Sequence, residues 1–471
     1  MLTLPSYVAG RPVESIAELV VKSPYNAAVA GAVRTASRAD TDAAVAAACA
    51  FRDTPTRYQR SQVLERTRVQ LEQRREEFAQ LISSEAGLCV RESRYEVGRA
   101  LDVLRFASIE ALRDDGQIFS CDVSPQGKAR KIFTVREPLN CAVCITPFNH
   151  PLNQVAHKVA PAIAAGTPVI LKPSEKAPLT AIRFSELLYE AGLPGPMLSV
   201  LLGNRSEVTE PLIQHPQVEL VSFTGSVAVG KIIAASAGYK KVVLELGGND
   251  PLIVLEDADL DLAVTLAAEG SYRNSGQRCT AVKRILVHES IAETFTRRLV
   301  EKTREYVCGN PLDEATRVGT VIDESAAIYL ETVVKEAIAV GAKVLIGGER
   351  RGALFSPTVI ANVPRGCRMV DCESFGPLAP VITVRDLEDA IATANSTAFG
   401  LSSGVVTRSL ESALRCIKEL KCGTVNINEV PGFRIENSPF GGIKDSGLGI
   451  KEGVIEAIKC FSYVKTFSLP W

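Results

Sequence analysis

The stretch from Cys141 to Lys172, CAVCITPFNHPLNQVAHKVAPAIAAGTPVILK, decides the fold. Its first run, Cys141–Thr146, is short, continuous and apolar, as a strand covered on both faces is. Leu152–Ala165 then repeats its apolar residues at helical spacing, and Pro168–Lys172 is a second apolar strand. Strand, helix and strand in that order form a parallel crossover unit.

The alternation continues downstream. A helix is expected over 178–190, a strand over 198–202, a helix near 206–214, a strand over 219–223, a helix over 226–237 and a strand over 241–246. A second set of apolar strands is read at 251–255, 284–288, 343–347, 377–384, 403–407 and 423–427. The chain is therefore predicted to be α/β, with two parallel-sheet layers that divide near Gly247-Gly248. Upstream, 40–51, 63–85 and 95–113 carry helical periodicity, and 117–137 reads as a β-hairpin turning around Pro125-Gln-Gly127. In open α/β sheets ligands sit at the carboxyl ends of the strands, so the residues just after each strand matter most.

Composition narrows the class. The chain has 471 residues, 46% of them hydrophobic and 23% charged, which excludes a disordered or collagen-like protein. A formal net charge of −1 gives no electrostatic footprint for nucleic acid. No apolar run approaches the ~20 residues a bilayer needs, and MLTLPSYVAG does not read as a signal peptide. The 12 cysteines are scattered without a secretory signal, so reduced thiols and a soluble cytoplasmic protein are expected. Four histidines without HExxH spacing make a metal site improbable, and none is expected.

Four segments carry chemistry. Phe223-Thr-Gly-Ser226 leads a strand into a helix, which aims backbone N–H groups at a phosphate. The run through Gly230-Lys231 nearly matches a P-loop, but Ile232 stands where a Mg²⁺-binding hydroxyl is needed. Cys279, in Asn274-Ser-Gly-Gln-Arg-Cys-Thr280, lies in a polar loop beside Arg278, which favours its thiolate. Glu245 ends an apolar strand before Leu246-Gly-Gly248, where partial desolvation makes a general base. His150, Asn153, Gln154 and His157 follow i, i+3, i+4, i+7 spacing and are expected to share one polar helical face.

The order TPFN, LKPSE, FTGS, LELGG, GQRC and ESFGP closely resembles the aldehyde dehydrogenase superfamily, from about residue 20 to the C-terminus. The resemblance implies a Rossmann-type NAD-binding domain (1–117 and 138–247), a catalytic domain (248–446) and a bridging β element (118–137 and 457–471). It implies a homodimer or homotetramer. Cys279 matches the family nucleophile, Asn149 the oxyanion donor and Glu245 the base that activates water. Lys172 and Glu175 match the adenosine-ribose contacts, Gly225 and Ser226 the pyrophosphate contacts, and Glu373 and Phe375 the nicotinamide-ribose end. Ile145, Pro147, Ser174, Gly203, Phe223 and Leu246 complete the cofactor wall. Glu175 favours NAD, because the 2′-phosphate of NADP would meet like charge. The run Glu245-Leu-Gly-Gly-Asn-Asp250-Pro251 departs from the commoner ELGGK and is not expected to touch the chemistry.

The longer run FNHPLNQVAHKVAPAIAAGTPVILKPSEKAPLTA is similar to family members that oxidise phosphonate-bearing aldehydes. It implies phosphonoacetaldehyde going to phosphonoacetate, held by Arg99, His150, Arg278 and Thr280, with Asn153 and His157 in the same pocket. Arginine forks suit a tetrahedral anion. Phosphonoformaldehyde, lactaldehyde and a semialdehyde are the alternatives, and a P-loop-like nucleotide-binding protein is the alternative from another class.

Overall fold

A computed structural model describes residues 2–471. The crossover unit is present: β1 (Ala142–Ile145), α1 (Asn153–Ala165) and β2 (Val169–Lys172), with the two strands parallel. With β3 (Leu198–Val200), β4 (Leu220–Thr224) and β5 (Lys241–Glu245) they form a parallel sheet in the order β5-β4-β1-β2-β3. All four residues of β1 and of β2 are buried, so both faces of this sheet are covered.

The second sheet holds β6 (Pro251–Val254), β7 (Arg284–His288), β8 (Lys343–Ile346), β9 (Thr358–Ala361), β10 (Leu378–Val384), β11 (Ser402–Val406) and β12 (Thr424–Ile427). Its order is β8-β9-β10-β7-β6-β11-β12, parallel throughout except for β8 against β9. Two connected α/β layers are thus observed where alternation predicted them. Strand β9 was not anticipated, because Pro357 and the glycines before it mask its short apolar core.

The N-terminal region differs from the expectation of helices alone. Four helices are present, Arg38–Ala50, Arg57–Gln73, Arg75–Ala86 and Val90–Glu110. Before them lie short strands. Tyr7–Val8 and Arg11–Pro12 extend the first sheet in antiparallel sense beyond β3, and Thr3–Pro5, Glu18–Lys22 and Val29–Arg34 make a separate small sheet. The two- and three-residue strands leave no readable alternation, and the longer Glu18–Lys22 and Val29–Arg34 were not recognised in the sequence.

The hairpin is real, and a third strand completes it. Arg130–Pro138 pairs with Ile118–Ser120 on one side and with Ser462–Pro470 on the other, all antiparallel. Stacked Phe133 and Phe467 rings, 5.3 Å apart, set that long register. Among the described residues no helix is long and apolar enough to cross a membrane.

Candidate active site

The nucleophile loop is set by backbone conformation. Helix α2 is Val227–Ser236, and α3 runs over Leu260–Tyr272; after α3, Asn274, Ser275 and Gly276 take φ of 57°, 53° and 69°. Such left-handed non-glycine residues cost about 1–3 kcal/mol each and persist only where the surroundings hold them. Here Asn274 Nδ2 donates to the Asn149 carbonyl at 2.9 Å, and the Ile322 N–H donates to Gln277 Oε1 at 2.8 Å. Gly276 must lack a side chain, since a Cβ there would run into the Gly376 carbonyl. This loop delivers Cys279 and Thr280 to the wall of a cavity of about 270 Å³.

Asn149, in the turn between β1 and α1, is buried and donates its Nδ2 to the Gln277 carbonyl at 2.8 Å. The two amide side chains, Asn149 and Asn274, thereby stitch that turn to the nucleophile loop. Glu245 is buried at the end of β5, and neither carboxylate oxygen has a protein partner. Burial, then the negative charge of Glu452, pushes its carboxyl well above the ordinary range. The two glycines after Glu245 permit close approach: a Cβ on Gly247 would strike the Glu373 carboxylate, and one on Gly248 the Cys279 carbonyl. LELGG therefore positions three expected site residues at once.

Behind Glu245 lies a buried ion pair that sequence reading missed. Lys158 Nζ sits 2.7 Å from Glu452 Oε1 and 2.7 Å from the Ser222 hydroxyl. Burial opposes the Glu452 charge, but Lys158 holds that carboxylate ionised, below the usual range. Asp250, in the run that follows Glu245, is buried; its Oδ1 accepts the Ser402 N–H at 3.1 Å, and desolvation pushes its carboxyl up to about 8.

The cavity wall corrects the expected polar helix face. His150 and Gln154 line the cavity, together with Arg99, Arg278 and Thr280. Asn153 and His157 do not. Asn153 is fully buried with both amide atoms unpartnered, and His157 is buried against Glu436 through its Nε2. The reason is geometric: α1 begins only at Asn153, so His150 lies in the preceding turn, and the face carrying 153 and 157 packs inward.

Arg99 Nε donates to Glu436 Oε1 at 2.5 Å and a terminal nitrogen reaches Glu436 Oε2 at 3.2 Å. Arg278 donates to the Gly270 carbonyl at 2.8 Å, while its buried Nε has no partner, and burial pulls its guanidinium down to about 10. Two further guanidiniums on this wall were not anticipated, Arg273, paired with Glu92, and Arg434. Arg434 lines the same cavity, stacks 4.0 Å from the Phe440 ring centroid, and among the described residues forms no ion pair. It lies in the loop after β12, so closer reading of that strand's carboxyl end would have found it.

On the other side, the carboxyl ends of β1, β2 and β4 converge. Thr146 and Thr224 have buried hydroxyls with no protein partner, and Ser226 caps an exposed N-terminus of α2. Lys172 Nζ lies 3.0 Å from Glu175 Oε1, with Ser174 between them, and Glu175 is exposed. Ile145, Phe223 and Leu246 are buried, Pro147 is half-buried, and Gly203 follows β3. Phe375 meets Phe148 edge-on at 6.0 Å. Unpaired hydroxyls, a helix N-terminus, a lysine and carboxylates form a donor set that suits a dinucleotide. Among the described residues no group of three or more His, Cys, Asp or Glu is placed to hold a metal.

Comparison with known proteins agrees with this arrangement. The model of the aldehyde dehydrogenase family matches residues 12–467. The 3-sulfolactaldehyde dehydrogenase of Priestia aryabhattai is 39% identical, covering 96% of this chain and 95% of its own. The NADP-dependent glyceraldehyde-3-phosphate dehydrogenase of Bacillus halodurans C-125, solved with NADP, superposes with a TM-score of 0.97 at 32% identity, with 100% of each chain covered. An NAD-dependent aldehyde dehydrogenase from Sinorhizobium meliloti gives 0.95 at 34%, over 99% of this chain and 95% of its own. The chain belongs to the aldehyde dehydrogenase family and is an oxidoreductase acting on aldehydes. Solved neighbours include an NAD-dependent and an NADP-bound enzyme, so a nicotinamide dinucleotide is the cofactor class.

Proposed function

We propose that this chain is an NAD-dependent dehydrogenase of a small aldehyde bearing a tetrahedral anion, with phosphonoacetaldehyde going to phosphonoacetate as the reaction. The observation that carries the reading is Arg434, a cavity-lining guanidinium without a carboxylate partner, beside Arg99 and Arg278. Of the four guanidiniums lining the cavity, Arg99 is paired with Glu436 and Arg273 with Glu92, while among the described residues Arg278 and Arg434 form no ion pair; the carboxylates of Glu269 and Glu429 lie on the same wall. Two guanidiniums without a carboxylate partner offer fork-shaped donors that match the oxygens of a tetrahedral anion. His150 and Thr280 add hydrogen-bonding groups. The Priestia and Bacillus relatives carry sulfonate and phosphate in their names, which supports an anionic aldehyde.

The Cys279 sulfur attacks the aldehyde carbon to give a thiohemiacetal. Asn149 Nδ2 and the Cys279 N–H stabilise the oxyanion; losing one such donor costs about 10²–10³ in rate. The dinucleotide, when bound, supplies the hydride acceptor, leaving a thioester on Cys279. Glu245 then takes a proton from the water that hydrolyses this thioester; burial raises its carboxyl above the ordinary range, which makes its ionised form a stronger base. Lys172 and Glu175 would hold the adenosine ribose, Gly225 and Ser226 the pyrophosphate, and Glu373 and Phe375 the nicotinamide end. Glu175 disfavours a 2′-phosphate, so NAD is preferred.

The domain division at residues 247/248, with 118–137 and 457–471 as a bridging element, belongs to the same reading. So do a cytoplasmic setting and a homodimer or homotetramer, supported by the exposed edge strand Ser462–Pro470 with Val464, Phe467 and Leu469. The test is NADH production from NAD with phosphonoacetaldehyde, sulfoacetaldehyde and propanal. The reading predicts kcat/KM at least about 100-fold higher for the phosphonate than for propanal, worth about 2.7 kcal/mol. Comparable rates for all three would remove the anion pocket, and a sulfonate preference would replace phosphonate with sulfonate.

A further inference from the structure

One cation beside the nucleophile has no part in the account above. Lys283 stands four residues after Cys279, immediately before β7, and its side chain is only 2% exposed. Its Nζ donates to the Arg278 carbonyl at 2.6 Å and to the Cys279 carbonyl at 2.9 Å, and lies 3.3 Å from Glu373 Oε1. Its own N–H donates to the Asp250 carbonyl at 3.0 Å. Glu373 is gripped from a second side, because the Gly248 N–H donates to the same Oε1 at 3.2 Å.

A buried ammonium is costly unless its donors are satisfied. Lys283 has three donors and three acceptors, so its site is built for a charge. Two of those acceptors are the successive carbonyls that flank the nucleophile's peptide unit. The third is the carboxylate assigned above to the nicotinamide-ribose end.

We propose that Lys283 is a positioning residue that joins the cofactor clasp to the nucleophile, one buried ammonium holding the Cys279 main chain and the Glu373 carboxylate in a single unit. This rests on the roles given above to Cys279 and Glu373. Electrostatics point the same way. Burial pushes the Cys279 thiol up to about 11; Lys283 opposes that most strongly and Arg434 adds to it, while Asp250 and Glu373 work against ionisation. Arg278 and Cys279 also act on one another electrostatically. Glu373 alone would suppress the thiolate that attacks the aldehyde, and Lys283 neutralises it. Cofactor grip and thiol reactivity are therefore linked through one charge.

The test uses opposite signs, which a merely structural role does not produce. Cys279 alkylation by iodoacetamide is followed by peptide mass spectrometry from pH 7 to 10, without substrate or cofactor, in wild type, Lys283→Met and Glu373→Gln. The proposal predicts alkylation at pH 8 about 10-fold slower in Lys283→Met and faster than wild type in Glu373→Gln. NADH titration by fluorescence then checks the joint. Each single substitution weakens binding, and the double variant is no weaker than the worse single, as expected for one shared interaction. Shifts of the same sign in both variants, or additive losses of NADH affinity, overturn the proposal. If Lys283→Met does not fold, Glu373→Gln decides alone: slower or unchanged alkylation overturns it. None of these readouts needs the natural aldehyde, so a wrong substrate leaves this test intact, whereas alkylation at a different cysteine would contradict the nucleophile assignment itself.

Discussion

At the residue scale the site turns on charges held out of water. Cys279→Ala is expected to abolish NADH production while NADH still binds, because the thiol reacts but does not build the cofactor wall; residual turnover above about 1% of wild type would contradict this. Glu245 gives a prediction in two opposed directions. Its carboxyl is raised in the folded chain, so between the ordinary carboxylate pKa and the raised one the native state holds more protons than the unfolded state. Stability therefore falls as pH rises through that window. Glu245→Gln should raise the melting temperature relative to wild type, more at pH 8 than at pH 5, while steady-state turnover collapses to a single burst of NADH. A lower melting temperature at pH 8 would show that the buried carboxylate is stabilising. Arg434→Ala should raise KM for phosphonoacetaldehyde at least about 10-fold more than for propanal, since it removes an unpaired guanidinium and leaves the thiol in place. Cys279 was legible in sequence because its neighbours are polar and Arg278 adjoins it. Glu436 and Lys158 were not, because their partners lie far along the chain: Glu436 reaches Arg99 across 337 positions and Glu452 reaches Lys158 across 294.

At the element scale the active site is a meeting of strand ends and one strained turn. Strands β1, β4, β5, β6 and β7 were readable because buried parallel strands are short uninterrupted apolar runs. The same rule fails for Tyr7–Val8 and Arg11–Pro12, whose pairing is decided by the neighbouring β3 and not by their own pattern. It also misplaced His157 and Asn153, because helical spacing fixes which residues share a face and not where the helix begins. The turn at Asn274–Gly276 carries its own prediction. Gly276→Ala places a Cβ at φ 69° against the Gly376 carbonyl. It should lower stability by at least about 1–2 kcal/mol in chemical denaturation and reduce kcat more than NADH affinity. An unchanged kcat would mean that the loop need not adopt this conformation to present Cys279.

At the scale of the whole molecule, two α/β layers face one another across LELGG and the nucleophile loop, and a three-stranded sheet stands apart from both. That sheet exposes an edge with Val464, Phe467 and Leu469, and its last residue, Trp471, lies under the Lys131 ammonium at 4.0 Å. An edge of this length is a liability to a monomer. If the chain forms the proposed homo-oligomer through this edge, removing residues 462–471 should yield monomers in light scattering; a truncated chain with the same oligomeric state as wild type would contradict that role for the edge. A formal net charge of −1 gives no long-range attraction for an anion, so the proposed anion preference must come from local geometry in the cavity. The most direct test of the whole account is to trap its covalent intermediate: Glu245→Gln is mixed with NAD and phosphonoacetaldehyde, acid-quenched, digested and weighed by mass spectrometry. The account predicts the phosphonoacetyl group in thioester linkage on the peptide carrying Cys279, in amounts approaching one per chain. No acyl adduct, or one on a different cysteine, would contradict it.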